Sequence, residues 1–242
     1  MTRLLLPGTV YMGRQDEEGY VDLLGKENAV GRHAGQRVFR SRFLPFVYER
    51  LWRPLVARFF FFGWGLKAAD ERRIVLDLME LSPSDQVIDI GCGPGNYSRY
   101  LARIARDGLV VGMDASEAMV AAASKRGGDE NLAYLRADAC GLPFGDGEFD
   151  AICCVGVLHM IDRPMAALAE MVRVLAPGGR LVVAASWSKR ASARVRSGVT
   201  IFGRDEVTAE LSRLGCAEVN RRVMRKAQFV SCRKPSEVSH GH

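Results

Sequence analysis

One stretch of the chain limits its fold more than any other: a short apolar run that ends in closely spaced glycines. It reads VIDIGCGPGN at positions 87–96, and a second apolar run, 109–113, ends immediately before Asp114. This pattern predicts a buried strand, a tight turn and a helix start, because glycine adopts backbone conformations that other residues avoid. A carboxylate after the neighbouring strand can accept hydrogen bonds from ribose hydroxyl groups. The sequence therefore predicts a nucleoside pocket.

The spacing of the glycines differs from the dinucleotide fingerprint. That fingerprint, G-x-G-x-x-G/A, has a third small residue that packs a helix against a strand. Here Gly91 and Gly93 match the first two positions, but Asn96 occupies the third and the extra glycine is Gly95. The turn alone therefore leaves a nicotinamide-dependent oxidoreductase, another nucleoside-binding protein and a plain tight turn open.

Strand and helix patterns alternate beyond this turn. Apolar runs predict strands at 87–90, 109–113, 132–135, 150–157 and 180–185, and helical spacing predicts helices at 70–81, 96–106, 116–125 and 164–175. The last part of the chain adds a helix at 204–214 and strands at 218–223 and 228–231. Alternation of this kind predicts a parallel sheet with helices on both faces.

Further motifs narrow the choice of family. Asp138-Ala139 follows the third strand pattern, and VLAPGGRL at 174–181 precedes the fifth. Together with the glycine turn and Asp114, these segments resemble the class I S-adenosylmethionine-dependent methyltransferases, in particular the branch of ubiquinone and menaquinone C-methyltransferases and of small-molecule and lipid methyltransferases. The resemblance implies a Rossmann-like, doubly wound α/β fold. It also implies a mostly parallel seven-stranded sheet with an antiparallel last strand, and an N-terminal helical lid.

The resemblance and the composition divide the chain into four segments. We expect 1–35 to be poorly ordered, 36–68 to form the aromatic-rich lid over the substrate, 69–234 to form the methyltransferase domain and 235–242 to be a flexible tail. The apolar run 59–66 is far shorter than the roughly 20 residues that span a bilayer. With no targeting signal indicated, we expect a cytoplasmic protein, and peripheral membrane contact stays open.

The implied cofactor is S-adenosylmethionine, whose sulfonium carries an electrophilic methyl group and needs no metal. The cofactor-binding residues implied by the resemblance are Asp89, Gly91, Cys92, Gly93, Asp114, Ala115, Met119, Asp138, Ala139 and Val155. Asp114 would hold the ribose and Asp138 the adenine amino group, whereas a turn carboxylate is the alternative role for Asp89 and Asp138. The six cysteines lack C-x-x-C spacing, which favours reduced thiols over a zinc site or disulfides.

The acceptor side of the site is less clearly patterned. His159 follows the fourth strand, where acceptors lie in this family, and imidazole can take a proton near neutral pH. We therefore take His159 as the candidate catalytic base and substrate contact, with shaping of the pocket as its alternative role. Tyr48 and Trp52 are the candidate substrate-binding residues of the lid, or else pack on the first helix. The apolar lid favours a quinone, polyketide or fatty-acid-like acceptor.

Two alternative functions stay open beside a small-molecule methyltransferase: an RNA-directed methyltransferase and a non-catalytic S-adenosylmethionine-binding module. The net charge is +6, and residues 189–234 hold 12 Lys or Arg against 4 Asp or Glu. These basic residues lack the interleaved aromatic side chains on which bases stack, so nucleic acid is not the expected partner. Residues 156–159, GVLH, also differ from the Asn/Asp-Pro-Pro-aromatic motif of base N-methyltransferases. The sequence does not indicate the methylated atom or the oligomeric state.

Overall fold

The computed structural model describes residues 4–6, 9–11, 19–25, 68–189, 193–194, 199–224 and 226–236. Its helices are α1 (Ala68–Met79), α2 (Asn96–Ile104), α3 (Glu117–Lys125), α4 (Pro164–Val174) and α5 (Glu206–Arg213), with a short 3-10 helix at Leu158–Met160. Its strands are β1 (Leu4–Leu6), β2 (Thr9–Tyr11), β3 (Val21–Asp22), β4 (Gln86–Ile90), β5 (Leu109–Asp114), β6 (Leu132–Arg136), β7 (Phe149–Val155), β8 (Leu175–Ser186), β9 (Ala193–Arg194), β10 (Thr200–Ile201), β11 (Ala217–Met224) and β12 (Ala227–Arg233).

Eight of these strands form one sheet, in the order β11-β12-β8-β7-β4-β5-β6-β3. Strand β12 runs against the direction of the other seven, because it pairs antiparallel with both β8 and β11. The predicted α/β fold, with a mostly parallel sheet and an antiparallel last strand, is therefore confirmed. The sheet has one strand more than the seven predicted, since β3 joins its edge in parallel beside β6.

The additional strand β3 comes from the segment 1–35, which we expected to be poorly ordered. Within residues 19–25, Tyr20 and Val21 are buried to 3% and 6% exposure against the sheet edge, while the expectation for 1–35 as a whole stays a prediction. Residues 26–67 are outside the described part of the chain. They include Tyr48, Trp52 and all of the lid segment 36–68 except its last residue. None of the helices in the described part of the chain is long and apolar enough to cross a bilayer.

Both faces of the sheet are covered, so its central strands are apolar on both sides. Neighbouring residues of β4 go to opposite faces: Val87 packs with α1 and α2, whereas Ile88 packs with α4 and α5. A third, smaller cluster joins Val120 of α3 to Tyr20 and Cys92. Rigid layers on both faces therefore hold the strand ends in place.

The order of the strands creates the crevice in which the site lies. From β4 the chain proceeds to β5 and β6 on one side, and then crosses to β7 on the other side. Helices that follow neighbouring strands leave a gap at such a reversal, and ligands of open α/β sheets bind there, beyond the carboxyl ends of the strands.

Candidate functional site

A cavity of about 530 Å³ lies beyond the carboxyl ends of β4, β5, β6 and β7. Its volume is in the range of small-molecule and cofactor sites, which is roughly 300–1,000 Å³. All ten residues expected to bind the cofactor line this cavity: Asp89, Gly91, Cys92, Gly93, Asp114, Ala115, Met119, Asp138, Ala139 and Val155. The structure thus brings the predicted set together, while the role of each residue stays a prediction.

The glycine turn between β4 and α2 forms one wall of the cavity. Backbone N–H groups of Gly91 and Cys92 donate to the carbonyl oxygen of Met113, at 2.7 and 2.9 Å, and so tie the turn to β5. Gly91 has φ of +74°, and a Cβ there would lie 2.5 Å from Cγ2 of Val157. At Gly93, with φ of +54°, a Cβ would meet no protein atom within 4 Å. Because Gly93 lines the cavity, a ligand can approach its backbone closely.

Asp114 stands beside this turn, at the end of β5. Its Oδ2 accepts the Gly93 N–H at 3.0 Å, and its Oδ1 accepts the Ser116 N–H at 2.8 Å. Burial raises the pKa of Asp114, and these backbone hydrogen bonds oppose the shift. Each carboxylate oxygen has two lone pairs, so both oxygens can still accept from a ligand's hydroxyl groups.

Asp89 is almost fully buried, with 2% exposure, and joins three elements. Its Oδ2 accepts the Ser98 hydroxyl of α2 at 2.7 Å, and its Oδ1 accepts the Cys153 thiol of β7 at 3.4 Å. Burial raises the pKa of Asp89 to about 6, against the lowering effect of these two hydrogen bonds. These contacts fix the base of the glycine turn and the start of α2.

Asp138 lies in the loop that follows β6. Its Oδ1 accepts the Cys140 N–H at 2.9 Å, which is an Asx turn. The turn role considered for this residue is thus present, and it orients a carboxylate that also lines the cavity. Asp114 and Asp138 therefore stand at the ends of neighbouring strands, along one side of the cavity.

His159 takes a different position from the predicted cofactor residues. It belongs to the 3-10 helix after β7, has 5% exposure, and is not among the residues that line the cavity, although its neighbour Met160 is. Burial lowers the pKa of His159 to about 4. An imidazole of that pKa gives little driving force for taking a proton near pH 7. The base role of His159 stays a prediction.

The depressed pKa of His159 makes a prediction about stability. Between about pH 6.5 and pH 4 the unfolded chain protonates this imidazole and the folded chain does not. Stability therefore falls on acidification, by roughly 1.4 kcal/mol per pH unit from this group. We expect wild type to lose about 2 kcal/mol more than His159→Gln between pH 7 and pH 5, measured by urea unfolding.

The comparison with the variant is needed because Asp89 acts in the opposite direction. Its folded pKa of about 6 lies above the ordinary value of 3.8, so acidification through pH 6 protonates the folded chain first and stabilises it. That contribution is common to wild type and His159→Gln and cancels in the difference. Equal losses in the two proteins would show that His159 is not buried as a neutral group.

Several cavity residues were not predicted from the sequence. Glu71, in the first turn of α1, and Tyr97, in the first turn of α2, meet at 3.0 Å, with the Tyr97 hydroxyl donating to Oε1. Burial, and next the Glu71 carboxylate, raise the pKa of Tyr97. Both helices run against the strands, so their first turns lie at the ligand-binding edge, and this topology was the signal that could have found them. The other unpredicted lining residues include Arg136, Met160, Ile161, Asp162 and Arg163.

The described residues contain no group of three or more His, Cys, Asp or Glu side chains that could hold a metal ion. All six cysteines are free thiols.

Comparisons with known proteins agree with this geometry. Residues 88–183 match the family model described as a methyltransferase domain. A demethylmenaquinone methyltransferase of Beutenbergia cavernae is 44% identical over 114 residues, which cover 47% of this chain and 45% of that protein. A solved S-adenosylmethionine-dependent methyltransferase of Aquifex aeolicus superposes with a TM-score of 0.56 at 25% identity, over 67% of this chain and 88% of that one. The match and the fold assign residues 88–183 to a class I S-adenosylmethionine-dependent methyltransferase domain.

A more distant relative aligns over a longer part of the chain that contains this methyltransferase domain. The phthiotriol/phenolphthiotriol dimycocerosates methyltransferase of Mycobacterium tuberculosis is 28% identical over 205 residues, 74% of this chain and 73% of that protein. By contrast, the chain spans about half the length of the first curated relatives it matches. The family assignment decides against the nicotinamide-dependent oxidoreductase that the glycine turn alone left open.

S-adenosylmethionine fits the site of the methyltransferase domain on the evidence of its own residues. The backbone at Gly93 is open toward the cavity, and Asp114 keeps acceptor capacity beside it. Asp138 offers a further carboxylate on the same side. A purine nucleoside presents hydroxyl and amino donors, so acceptor-only carboxylates are the complementary groups.

Proposed function

We propose that this domain transfers a methyl group from S-adenosylmethionine to a small apolar acceptor of the quinone or lipid class. The observation that carries the proposal is the convergence of Asp114, Asp138 and the glycine turn on one cavity. When bound, the cofactor supplies an electrophilic methyl carbon on a positively charged sulfur. The protein's task is then to align the two reactants and to exclude water, which is worth roughly 7–11 kcal/mol for well-oriented groups.

Six of the expected cofactor-binding residues have a role in this proposal. Asp114 accepts hydrogen bonds from the ribose hydroxyls and Asp138 from the adenine amino group, while Met119 lies against the adenine. Gly91 and Gly93 let the backbone approach the methionine and ribose portions. Asp89 acts through Ser98 by fixing the start of α2.

The acceptor class is supported by the apolar part of the cavity wall and by the relatives. Val155, Val157, Met160 and Ile161 line the side of the cavity near β7, where a methyl acceptor would lie. Two relatives are named for a demethylmenaquinone and for a phthiotriol dimycocerosate, which are apolar molecules. In the proposal, the lid at 36–68, with Tyr48 and Trp52, completes this pocket. We also propose a cytoplasmic location, with the acceptor taken from a membrane surface.

Binding and transfer experiments test the two halves of the proposal separately. Calorimetry should detect S-adenosylmethionine and S-adenosylhomocysteine binding and no NADH binding. Transfer of a labelled methyl group should then occur to a reduced demethylmenaquinone or a related apolar acceptor, but not to RNA. Tight NADH binding without heat from S-adenosylhomocysteine would reject the cofactor assignment. Cofactor binding without S-adenosylhomocysteine production on any acceptor would favour a non-catalytic binding module.

A further inference from the structure

Residues 19–25 of the N-terminal region pack against the sheet edge next to the cofactor site, and we refer to this segment as the strap. Its β3 pairs in parallel with β6, with Val21 opposite Leu135 and Asp22 opposite Arg136. The Tyr20 side chain packs in the small cluster that contains Cys92 of the glycine turn. The strap therefore touches elements that carry cofactor-binding residues.

A buried arginine connects the strap to the cavity. The Arg136 side chain is 6% exposed, and its Nη1 donates to Oδ2 of Asp22 at 2.8 Å and to the carbonyl oxygen of Gly25 at 3.2 Å. Its Nε donates to the carbonyl oxygen of Ala115 at 3.4 Å. The same residue lines the cavity. One guanidinium thus joins the strap to the loop after β5.

Arg136 also stands between the two carboxylates of the nucleoside side. Ala115 follows Asp114 directly, and Asp138 lies two residues beyond Arg136. The intervening Ala137 N–H donates to the carbonyl oxygen of Asp114 at 3.3 Å. The backbone and the guanidinium therefore hold the loops after β5 and β6 together from two sides.

We propose that Arg136, held by Asp22 of the strap, is a positioning residue that fixes the two loops carrying Asp114 and Asp138 in the geometry that binds adenosine. The inference rests on the proposed function. Of the two carboxylates near this little-exposed guanidinium, Asp22 at 2.8 Å is closer than Glu117 at 3.8 Å, so Asp22 is its main partner. Removing the main partner of a buried charge is strongly unfavourable. Loops that are fixed before binding do not have to be ordered by the ligand, and this increases affinity.

Asp22→Asn is the most informative variant, because the two carboxylate oxygens of Asp22 accept different hydrogen bonds. Oδ1 accepts the N–H groups of Leu24 and Gly25 within the strap, at 2.9 and 3.1 Å, whereas Oδ2 accepts from Arg136. Asparagine can keep the hydrogen bonds to Leu24 and Gly25 through its amide oxygen. Its amide nitrogen, however, is a donor and cannot accept from the guanidinium. We expect Asp22→Asn to weaken S-adenosylhomocysteine binding about tenfold.

Arg136→Lys is the complementary variant, since lysine keeps the charge but cannot bridge Asp22 and Ala115 with one nitrogen. If Asp22 acts through Arg136, the double variant should bind no more weakly than the weaker single variant. Glu80→Gln is the matched control, because Glu80 accepts from Arg180 and Arg233 at 3.1 and 2.8 Å and does not line the cavity. It should leave the affinity unchanged.

The positioning role is tested by measuring the affinity of each variant for S-adenosylhomocysteine and for 5′-methylthioadenosine. Calorimetry gives these affinities, at a temperature well below the unfolding temperature of each variant. The affinities for both ligands should fall by the same factor, because both ligands contain the adenosine that the two loops bind. Unchanged affinities beside a lowered unfolding temperature would overturn the inference and leave the proposed function intact. Weakening of S-adenosylhomocysteine alone would also overturn it. If wild type bound neither ligand, the proposed function would fail, and this inference with it.

Discussion

Asp114→Ala is expected to weaken the binding of S-adenosylmethionine and S-adenosylhomocysteine by roughly a hundredfold or more, because hydrogen bonds to charged groups contribute about 1.5–3 kcal/mol each. The ribose would lose both of its acceptors in this variant. The N–H groups of Gly93 and Ser116 would lose their acceptor as well, so the glycine turn would lose one of its hydrogen bonds to β5 while keeping those to the Met113 carbonyl. Isothermal titration calorimetry measures this loss directly.

Asp85→Ala is the matched control for Asp114→Ala. Asp85 also accepts a backbone N–H, that of Ser82 at 2.9 Å, but it does so in an exposed turn before β4. That turn lies at the opposite end of the strand from the cavity. Wild-type affinity in Asp85→Ala and undetectable binding in Asp114→Ala would support the ribose role. A folded Asp114→Ala protein with wild-type affinity would contradict it.

Gly91→Ala should be strongly destabilising, and more so than Gly93→Ala in the same turn. An alanine at φ of +74° is strained by about 1–2 kcal/mol, and overpacking against Val157 adds roughly 1–3 kcal/mol. We therefore expect the free energy of unfolding to fall by about 2–5 kcal/mol in total. Denaturant unfolding followed by circular dichroism measures this change.

Two further variants separate the causes. Val157→Ala removes the two methyl groups that a Cβ at Gly91 would meet but keeps the Val157 Cβ at 2.7 Å. The double variant should therefore recover part of the packing cost and keep the backbone strain. Gly93→Ala has backbone strain without a protein contact within 4 Å. It should lower stability less than Gly91→Ala while still weakening cofactor binding. A Gly91→Ala protein as stable as wild type would show that the turn accommodates a side chain.

The cofactor side of the site could be predicted because its residues follow strand ends. Asp114 and Asp138 each come after an apolar run, and carboxyl ends of parallel strands meet at one edge of the sheet. The helix predicted at 70–81 is present as Ala68–Met79, a shift of two residues at each end. Periodicity locates elements well and their ends less well, because capping contacts decide the ends.

The remaining features depend on contacts that no local pattern contains. His159 was predicted to contact the acceptor because it follows a strand end. The direction of its side chain, however, depends on how the 3-10 helix turns. Arg136 reads as the end of an ordinary strand, since its partner Asp22 lies 114 residues away. The strand β3 has only two residues, too few for any periodicity. Such features become visible only when distant segments are brought together.

The strap also determines at which residue a shortened version of the chain should begin. A fragment beginning at residue 69, where the sequence pattern starts, would lack β3 and so leave the outer backbone groups of β6 unpaired. An open strand edge of this kind is a template for association between molecules, and it would carry the Arg136 charge without Asp22, the closer of its two carboxylates. Expression of the isolated domain should therefore start upstream of Gly19.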